Sequence, residues 1–341
     1  MRAGLGPSLL CVVALSITAC SAPSPPASDV RPARVPTSSV AATPAGVEPS
    51  VAPPATTATA TPKPVGLLTF SVDRVLADTK EIEHFGVRVP GSRQESAAAD
   101  YVIRRLRSMG YEVSIEEFRA PAGVSRNVTA RVRGIDARHL VVGAHLDTRS
   151  MTPGANDDAA GCAIVLELAR ILSKEKPPVS VEFTLFGSEE YNDGTPRDHH
   201  RGSRYHVAHM TKTQREQTIG MISIDVVGLG RQLYVRTMGT GPLSMSDYLR
   251  RRARHAGVSL KYLKDPGPTG WSDHEPYEKI GIPAVWIERL QDPQYHKAGD
   301  TTEHLRSSAL GVTGRLVLDA VRSMDRAEVG RVMRGGAGSG N

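Results

Sequence analysis

The stretch LVVGAHLD at residues 140–147 places a histidine and an aspartate directly after a run of apolar and small residues. A short apolar run of this kind is typical of a strand buried on both faces. Residues 158–174 follow it and carry Ile164, Leu168 and Leu172 at helical spacing, which predicts an amphipathic helix. A buried strand followed by such a helix is the repeating unit of an α/β fold.

The same alternation extends outward from this unit along the chain. Further helices are predicted at 97–109 and 243–256, and further strands at 127–133, 179–186, 221–227 and 282–287. The pattern predicts an α/β domain, a three-layer sandwich in which helices flank a mainly parallel central sheet. The Gly134-Ile135-Asp136 segment between two β-rich runs predicts a hairpin.

Composition limits the class of protein. Of 341 residues, 40% are hydrophobic, which is enough for a core and excludes a wholly disordered chain. Three cysteines are too few for a small disulfide-stapled domain. The net charge of +6 is a moderate excess that favours solubility over recognition of nucleic acid. We expect one folded domain at residues 65–330, followed by a flexible tail at 331–341.

The N-terminus has the pattern of a secretory signal peptide at residues 1–19. Arg2 precedes an apolar run at 9–17 that is too short to span a bilayer, which takes about 20 residues. The run ends in ITAC, which resembles the bacterial lipobox, so we expect Cys20 to be lipidated and to hold the protein outside the cytoplasm on the cell membrane. Ordinary cleavage near Ala19, which would secrete the protein, is the alternative.

A low-complexity segment follows Cys20. Residues 21–64 include 11 Pro and 10 Ala and have no aromatic residue, so they cannot bury enough apolar surface to fold. We therefore predict a disordered tether at 20–64.

Acidic residues and histidines cluster where the predicted strands end. In an open α/β sheet the ligand crevice lies beyond the carboxyl ends of the strands, so these side chains are expected to converge: His145, Asp157, Glu189, Glu190, Asp225 and His296. Several buried carboxylates without a counter-charge are unfavourable, and a divalent cation resolves this. Mixed histidine and carboxylate ligands suit Zn²⁺. Five candidate ligands exceed the usual three for one catalytic zinc, and with one carboxylate bridging they suit two ions.

Several short motifs in order carry a family resemblance. They are HLD at 145–147, PGANDD at 153–158, EE at 189–190, ID at 224–225, SDH at 272–274 and YHKAGDT at 295–301. Together they resemble the di-zinc aminopeptidases, the family of aminopeptidase S, aminopeptidase Y and bacterial leucyl aminopeptidase. The resemblance implies a zinc exopeptidase fold, a catalytic domain at 65–330, two Zn²⁺ per chain, a monomer, and peptides with a free N-terminus as substrates.

The resemblance also implies the ligands of each ion. His145 and Asp225 would hold one zinc, and Glu190 and His296 the other. Asp157 would bridge them, although residue type alone does not separate it from Asp158, since either could cap the following helix.

Three further residues receive roles from the resemblance. Glu189 would be the general base that takes a proton from water and delivers it to the leaving amine. Asp147 would be the carboxylate that orients the His145 imidazole. Tyr295 matches a tyrosine that donates to the oxyanion in some members. Asp273 and His274 are expected to shape the pocket or to be structural.

Two other functions remain open at this point. The loop at 191–201 is longer than in compact aminopeptidases, and long loops here also occur in glutaminyl cyclases, which form pyroglutamate with a single zinc. A catalytically inactive binding module on the same fold is the third reading. His199-His200 and the pair His206 and His209 have the pattern of another metal site, but their place in a polar loop and the helix after it favours an explanation without metal.

Overall fold

The computed structural model describes residues 67–190 and 199–335. The predicted signal peptide, Cys20 and the tether up to residue 64 lie outside this part, and so does most of the 191–201 loop. The predicted tail is partly described: a helix, Arg326–Gly335, crosses the expected boundary after residue 330, and its Val332 is fully buried. The folded part therefore continues through Gly335, because this helix covers apolar surface.

Eight strands form one sheet. They are β1 (Val113–Ala120), β2 (Gly123–Val132), β3 (Asp136–His145), β4 (Val179–Phe186), β5 (Thr218–Ile224), β6 (Gln232–Thr237), β7 (Leu260–Lys264) and β8 (Ala284–Leu290). Their spatial order is β1-β2-β4-β3-β5-β8-β6-β7. The four central strands, β4, β3, β5 and β8, are parallel, while β2 and β6 flank them antiparallel. The α/β class and the mainly parallel centre are thus confirmed.

Helices cover both faces of the sheet. They are α1 (Val72–Glu83), α2 (Arg93–Ser108), α3 (Ala160–Leu172), α4 (Arg201–His209), α5 (Lys212–Gln217), α6 (Ser244–His255), α7 (His274–Lys279), α8 (Ser307–Arg322) and α9 (Arg326–Gly335). Alternate residues of a strand point to opposite faces. Val142 of β3 belongs to the main core with α3, while Val141 belongs to a smaller core with α4 and α7. This arrangement makes the three layers.

The predicted hairpin between β2 and β3 is wrong. Both strands pair with β4, on opposite edges of it. The connection crosses the start of β4 at Gly134, where a Cβ would lie 2.2 Å from the carbonyl carbon of Val179. Because residues 140–144 are buried on both faces, β3 takes a central position that a hairpin would not give it.

The sheet positions a crevice at the carboxyl ends of its central strands. His145 ends β3, Glu189 and Glu190 follow β4, and Asp225 directly follows β5. Across the described ranges, none of the helices has the length and apolar character needed to cross a membrane.

Candidate metal centre

One group of ligand atoms forms around the imidazole of His145. Its Nε2 lies 3.1 Å from Oδ1 of Asp157 and 3.5 Å from Oδ1 of Asp225. All three residues are buried. Their atoms are close enough together to hold one metal ion.

A second group forms around the imidazole of His296, on the loop after β8. Its Nε2 lies 3.1 Å from Oδ2 of Asp157 and 3.2 Å from Oε1 of Glu190. These atoms can also hold one ion. Asp157 therefore belongs to both groups and turns one carboxylate oxygen to each imidazole, which is the arrangement expected of a bridging ligand.

The donor set fits divalent cations. Three of its carboxylate oxygens, Oδ2 of Asp157, Oε1 of Glu190 and Oδ1 of Asp225, are buried and receive no hydrogen bond from the residues that the structure describes. Burial and the Asp157 charge raise the pKa of Glu190 to about 8, and burial raises that of Asp225. A cation favours the charged form of such carboxylates and supplies the partner that these oxygens lack.

Asp157 and its neighbour Asp158 have separate tasks. Asp157 lies in an irregular turn, Ala155–Ala159, that precedes α3. Asp158 points back into the fold and accepts hydrogen bonds from the backbone N–H groups of His145 and Gly161. Asp158 thus caps α3 and ties it to β3, while the side chain of Asp157 faces the two histidines.

Asp147 lies beside the centre but acts differently from the expectation. Its carboxylate accepts the backbone N–H groups of Glu189 and Glu190, each at 2.9 Å. The His145 Nδ1 instead contacts the backbone oxygen of Asp147 at 3.1 Å, and the carboxylate is 3.8 Å away. Asp147 therefore positions the two glutamates, and its main chain orients the histidine.

Asp300 is a positioning residue for which the sequence analysis gave no role. Its carboxylate accepts the backbone N–H groups of Asn156 at 2.7 Å and Asp157 at 3.1 Å. Because Asp300 lies four residues after His296, it connects the loop of one ligand to the turn that carries the shared ligand. Its place in the YHKAGDT motif was the available signal.

A cavity of about 370 Å³ opens over the ligand atoms. Besides those atoms, its wall includes Glu189, Arg149, His199, Trp271 and Tyr295. The Tyr295 ring stacks on His296 with 3.8 Å between ring centroids, and the residue is 42% exposed. A substrate in this cavity would therefore reach the ligand atoms, Glu189 and the Tyr295 side chain together.

The other candidate residues are distributed over different environments. His274 is buried, contacts Asp265 at 2.9 Å and is not part of the cavity wall. His206 lies between two glutamates, whereas His209 bonds to the backbone oxygen of Tyr205 on the exposed side of α4. These two histidines therefore do not form a common site. Glu189, His199 and His200 do lie together, close enough to hold an ion.

The fold and the paired ligand groups define the site of a metal-dependent hydrolase. Comparison with known proteins places the chain in a family. It belongs to peptidase family M28, whose sequence pattern matches residues 127–321.

Three curated relatives illustrate the range of this similarity. Aminopeptidase YwaD of Bacillus subtilis is 28% identical in a match of 210 residues. The match covers 58% of this chain and 44% of the relative. The probable lipoprotein aminopeptidase LpqL of Mycobacterium tuberculosis is 29% identical over 58% of this chain and 45% of the relative. A bovine glutaminyl-peptide cyclotransferase is 25% identical over 64% of this chain and 73% of the relative. The chain thus spans about half the length of the first two.

Solved structures share the fold over most of the chain. A zinc aminopeptidase from Bacillus subtilis superimposes with a TM-score of 0.69, 17% identity and coverage of 79% of this chain and 99% of the other. The glutaminyl cyclase of Tannerella forsythia superimposes with a TM-score of 0.64 and 22% identity, and the match covers 75% of this chain and 99% of the other. The zinc exopeptidase fold expected from the sequence is therefore confirmed.

Proposed function

We propose that the protein is a zinc-dependent aminopeptidase that removes N-terminal residues from peptides at a centre of two ions. One observation carries this proposal: Asp157 turns its two carboxylate oxygens to two different imidazoles, 3.1 Å from each. Two ions would be held by His145 and Asp225 on one side and by Glu190 and His296 on the other. Such a pair supplies Lewis-acid polarisation of the scissile carbonyl and an acidified water nucleophile.

Glu189 is the residue that we propose moves the proton. It lines the cavity and directly precedes the ligand Glu190, and Asp147 fixes the backbone N–H groups of both. Although burial opposes it, the positive charges of His200 and His145 lower the pKa of Glu189. The carboxylate is therefore ionised near neutral pH and can accept a proton from water, then deliver it to the leaving amine.

The shape and charge of the cavity support a substrate with a free α-amino group. The buried carboxylates of Asp157, Glu190 and Asp225 line it. They favour an amine that is positively charged or that binds a metal ion. Trp271, half exposed at the cavity wall, offers an apolar surface to the first side chain of the peptide. This placement favours an exopeptidase.

Cyclisation of N-terminal glutamine is the second candidate. It is supported by the bovine cyclotransferase relative and by the length of the loop at 191–201. Such an enzyme would work with a single zinc, so the paired ligand groups favour hydrolysis. A third reading, an inactive binding module, is disfavoured because every ligand that the family resemblance implies is present at the site.

Dialysis against a chelator is expected to abolish hydrolysis of aminoacyl chromogenic substrates, and added zinc should restore it. The reason is that no protein group in the described ranges replaces the cation at the buried ligand oxygens. The measurement is initial rate against zinc equivalents, with release of free amino acid and of ammonia from a glutamine-initiated peptide followed in parallel. Ammonia release without amino acid would favour cyclisation, and neither product after zinc is restored would contradict both reactions.

We also propose that Cys20 anchors the protein to the outer side of the cell membrane. The lipobox-like ITAC sequence supports this, and the relative LpqL is described as a probable lipoprotein. Cys20→Ser is expected to move the protein from the membrane fraction to the soluble one, as judged by detergent partitioning. Equal partitioning of the variant and the unchanged protein would contradict lipid attachment.

A further inference from the structure

His200 occupies a strained and buried position beside the proposed base. Its φ of +56° lies in the left-handed region that non-glycine residues seldom adopt, and its side chain is 1% exposed. Two backbone hydrogen bonds hold it there: its N–H donates to the Glu189 carbonyl at 2.7 Å, and the Arg201 N–H donates to the Ser188 carbonyl at 2.9 Å. Residues 188–189 and 200–201 are thus tied together directly beside the base.

The imidazole of His200 lies between two carboxylates. Its Nε2 is 3.0 Å from Oε1 of Glu189, and its Nδ1 is 2.5 Å from Oε2 of Glu275, which is fully buried on α7. Arg204 contacts the Glu275 carboxylate at 3.0 Å, and Lys279 pairs with it too. Glu275 is therefore held by two cationic side chains as well as by the imidazole of His200.

The orientation of the Glu189 carboxylate depends on the groups that surround it and His200. The charged and titratable groups that face His200 or Glu189 from the surrounding elements are His145, Asp147, Glu190, His199, Arg204, Asp225, Asp273, Glu275 and Lys279. Among the described residues, His200 is the histidine whose two ring nitrogens contact Glu189 and Glu275.

We propose that His200, held by Glu275, is a positioning residue for catalysis that orients the Glu189 carboxylate. The inference rests on the proposed function, because it assigns His200 to the base of that reaction. The direction of the pKa values agrees. Although burial opposes it, Glu189 and Glu275 raise the pKa of His200 to about 10, so the imidazole is cationic near neutral pH.

A metal-ligand role for His200 is the competing explanation. Glu189, His199 and His200 each offer an atom within 4.8 Å of the others. An ion there would occupy Glu189 and remove the base. Nδ1 of His200 already bonds to Glu275. Nε2 has no hydrogen-bond partner among the described residues and lies at ion-pair distance, 3.0 Å, from Oε1 of Glu189, which suits an imidazolium beside a carboxylate. Metal content therefore has to be measured with activity.

The test compares His200→Gln with His209→Gln, a control on the exposed side of α4, the helix that begins directly after His200. Gln keeps a donor but carries no charge, so we expect kcat to fall about 10- to 100-fold with KM within about twofold. Zinc content should match that of the control.

Glu275→Gln is a second variant, for which we expect the alkaline limb of the pH–activity profile to shift. A carboxylate partner raises the pKa of His200, so its removal lowers that pKa, and the cation is lost at a lower pH. Activity should then decline above about pH 8, whereas the unchanged protein should hold its activity to about pH 9, below the His200 pKa of about 10. A purely structural role would lower the melting temperature and leave the alkaline limb in place.

A readout without activity separates this inference from the proposed function. In ¹⁵N-histidine spectra of the metal-free protein, both His200 nitrogens should be protonated at pH 8, and Glu189→Gln should lower the pH at which they titrate. No hydrolysis by the unchanged zinc-loaded protein would overturn the proposed function alone. An active protein whose kcat is unchanged in His200→Gln, or a further zinc equivalent lost in that variant, would overturn the role of His200.

Discussion

Glu189→Gln is expected to lower kcat about 10²- to 10⁴-fold, the usual loss when a general base is removed, while the bound metal stays in place. Gln is nearly isosteric and keeps the backbone N–H that donates to Asp147, so Glu190 and its contact with His296 should remain in position. The measurement is kcat together with zinc per chain in the same preparation.

Two variants sharpen this test. Glu190→Gln, at the adjacent position, should lose metal affinity, since the carboxylate near His296 is removed. Glu216→Gln on α5, where the side chain is 63% exposed, should change neither quantity. Near-normal turnover of Glu189→Gln would show that another group accepts the proton.

Asp157→Ala is expected to remove metal from both sites, because Asp157 is the carboxylate that both imidazoles face. Loss of one shared ligand should weaken both ions at once, and hydrolysis should fall to the background rate. Zinc affinity is measured by titration against a competing chelator, with circular dichroism to confirm that the fold is retained.

Asp225→Ala is the matched comparison, because Asp225 belongs only to the His145 group. It should weaken one ion and leave the His296 group able to bind. Asp247→Ala on α6, 59% exposed, serves as the control for the substitution itself. Equal metal content in Asp157→Ala and Asp247→Ala would contradict the bridging role.

The sequence predicted the sheet and the convergence of the site for a physical reason. Strands buried on both faces, such as 140–144, read as continuous apolar runs, and polar residues directly after them must lie at one edge of a parallel sheet. The same reasoning predicts that His145, Glu190 and Asp225 lie at one edge of the sheet.

Contacts between segments distant along the chain could not be predicted in this way. The place of β4 between β2 and β3 depends on long-range pairing, and adjacency in sequence favoured a hairpin instead. Likewise Asp147 and Asp300 act by accepting backbone N–H groups from segments distant along the chain. His200 lies in a polar stretch, and only its contacts with Glu189 and Glu275 distinguish it from a surface histidine.

The most direct test is the number of zinc ions bound per chain. Elemental analysis of purified protein, after zinc is resupplied and excess ion is removed, should give two equivalents, and Asp225→Ala should give one. A value of one or fewer for the unchanged protein under these conditions would contradict a shared aspartate between two ions.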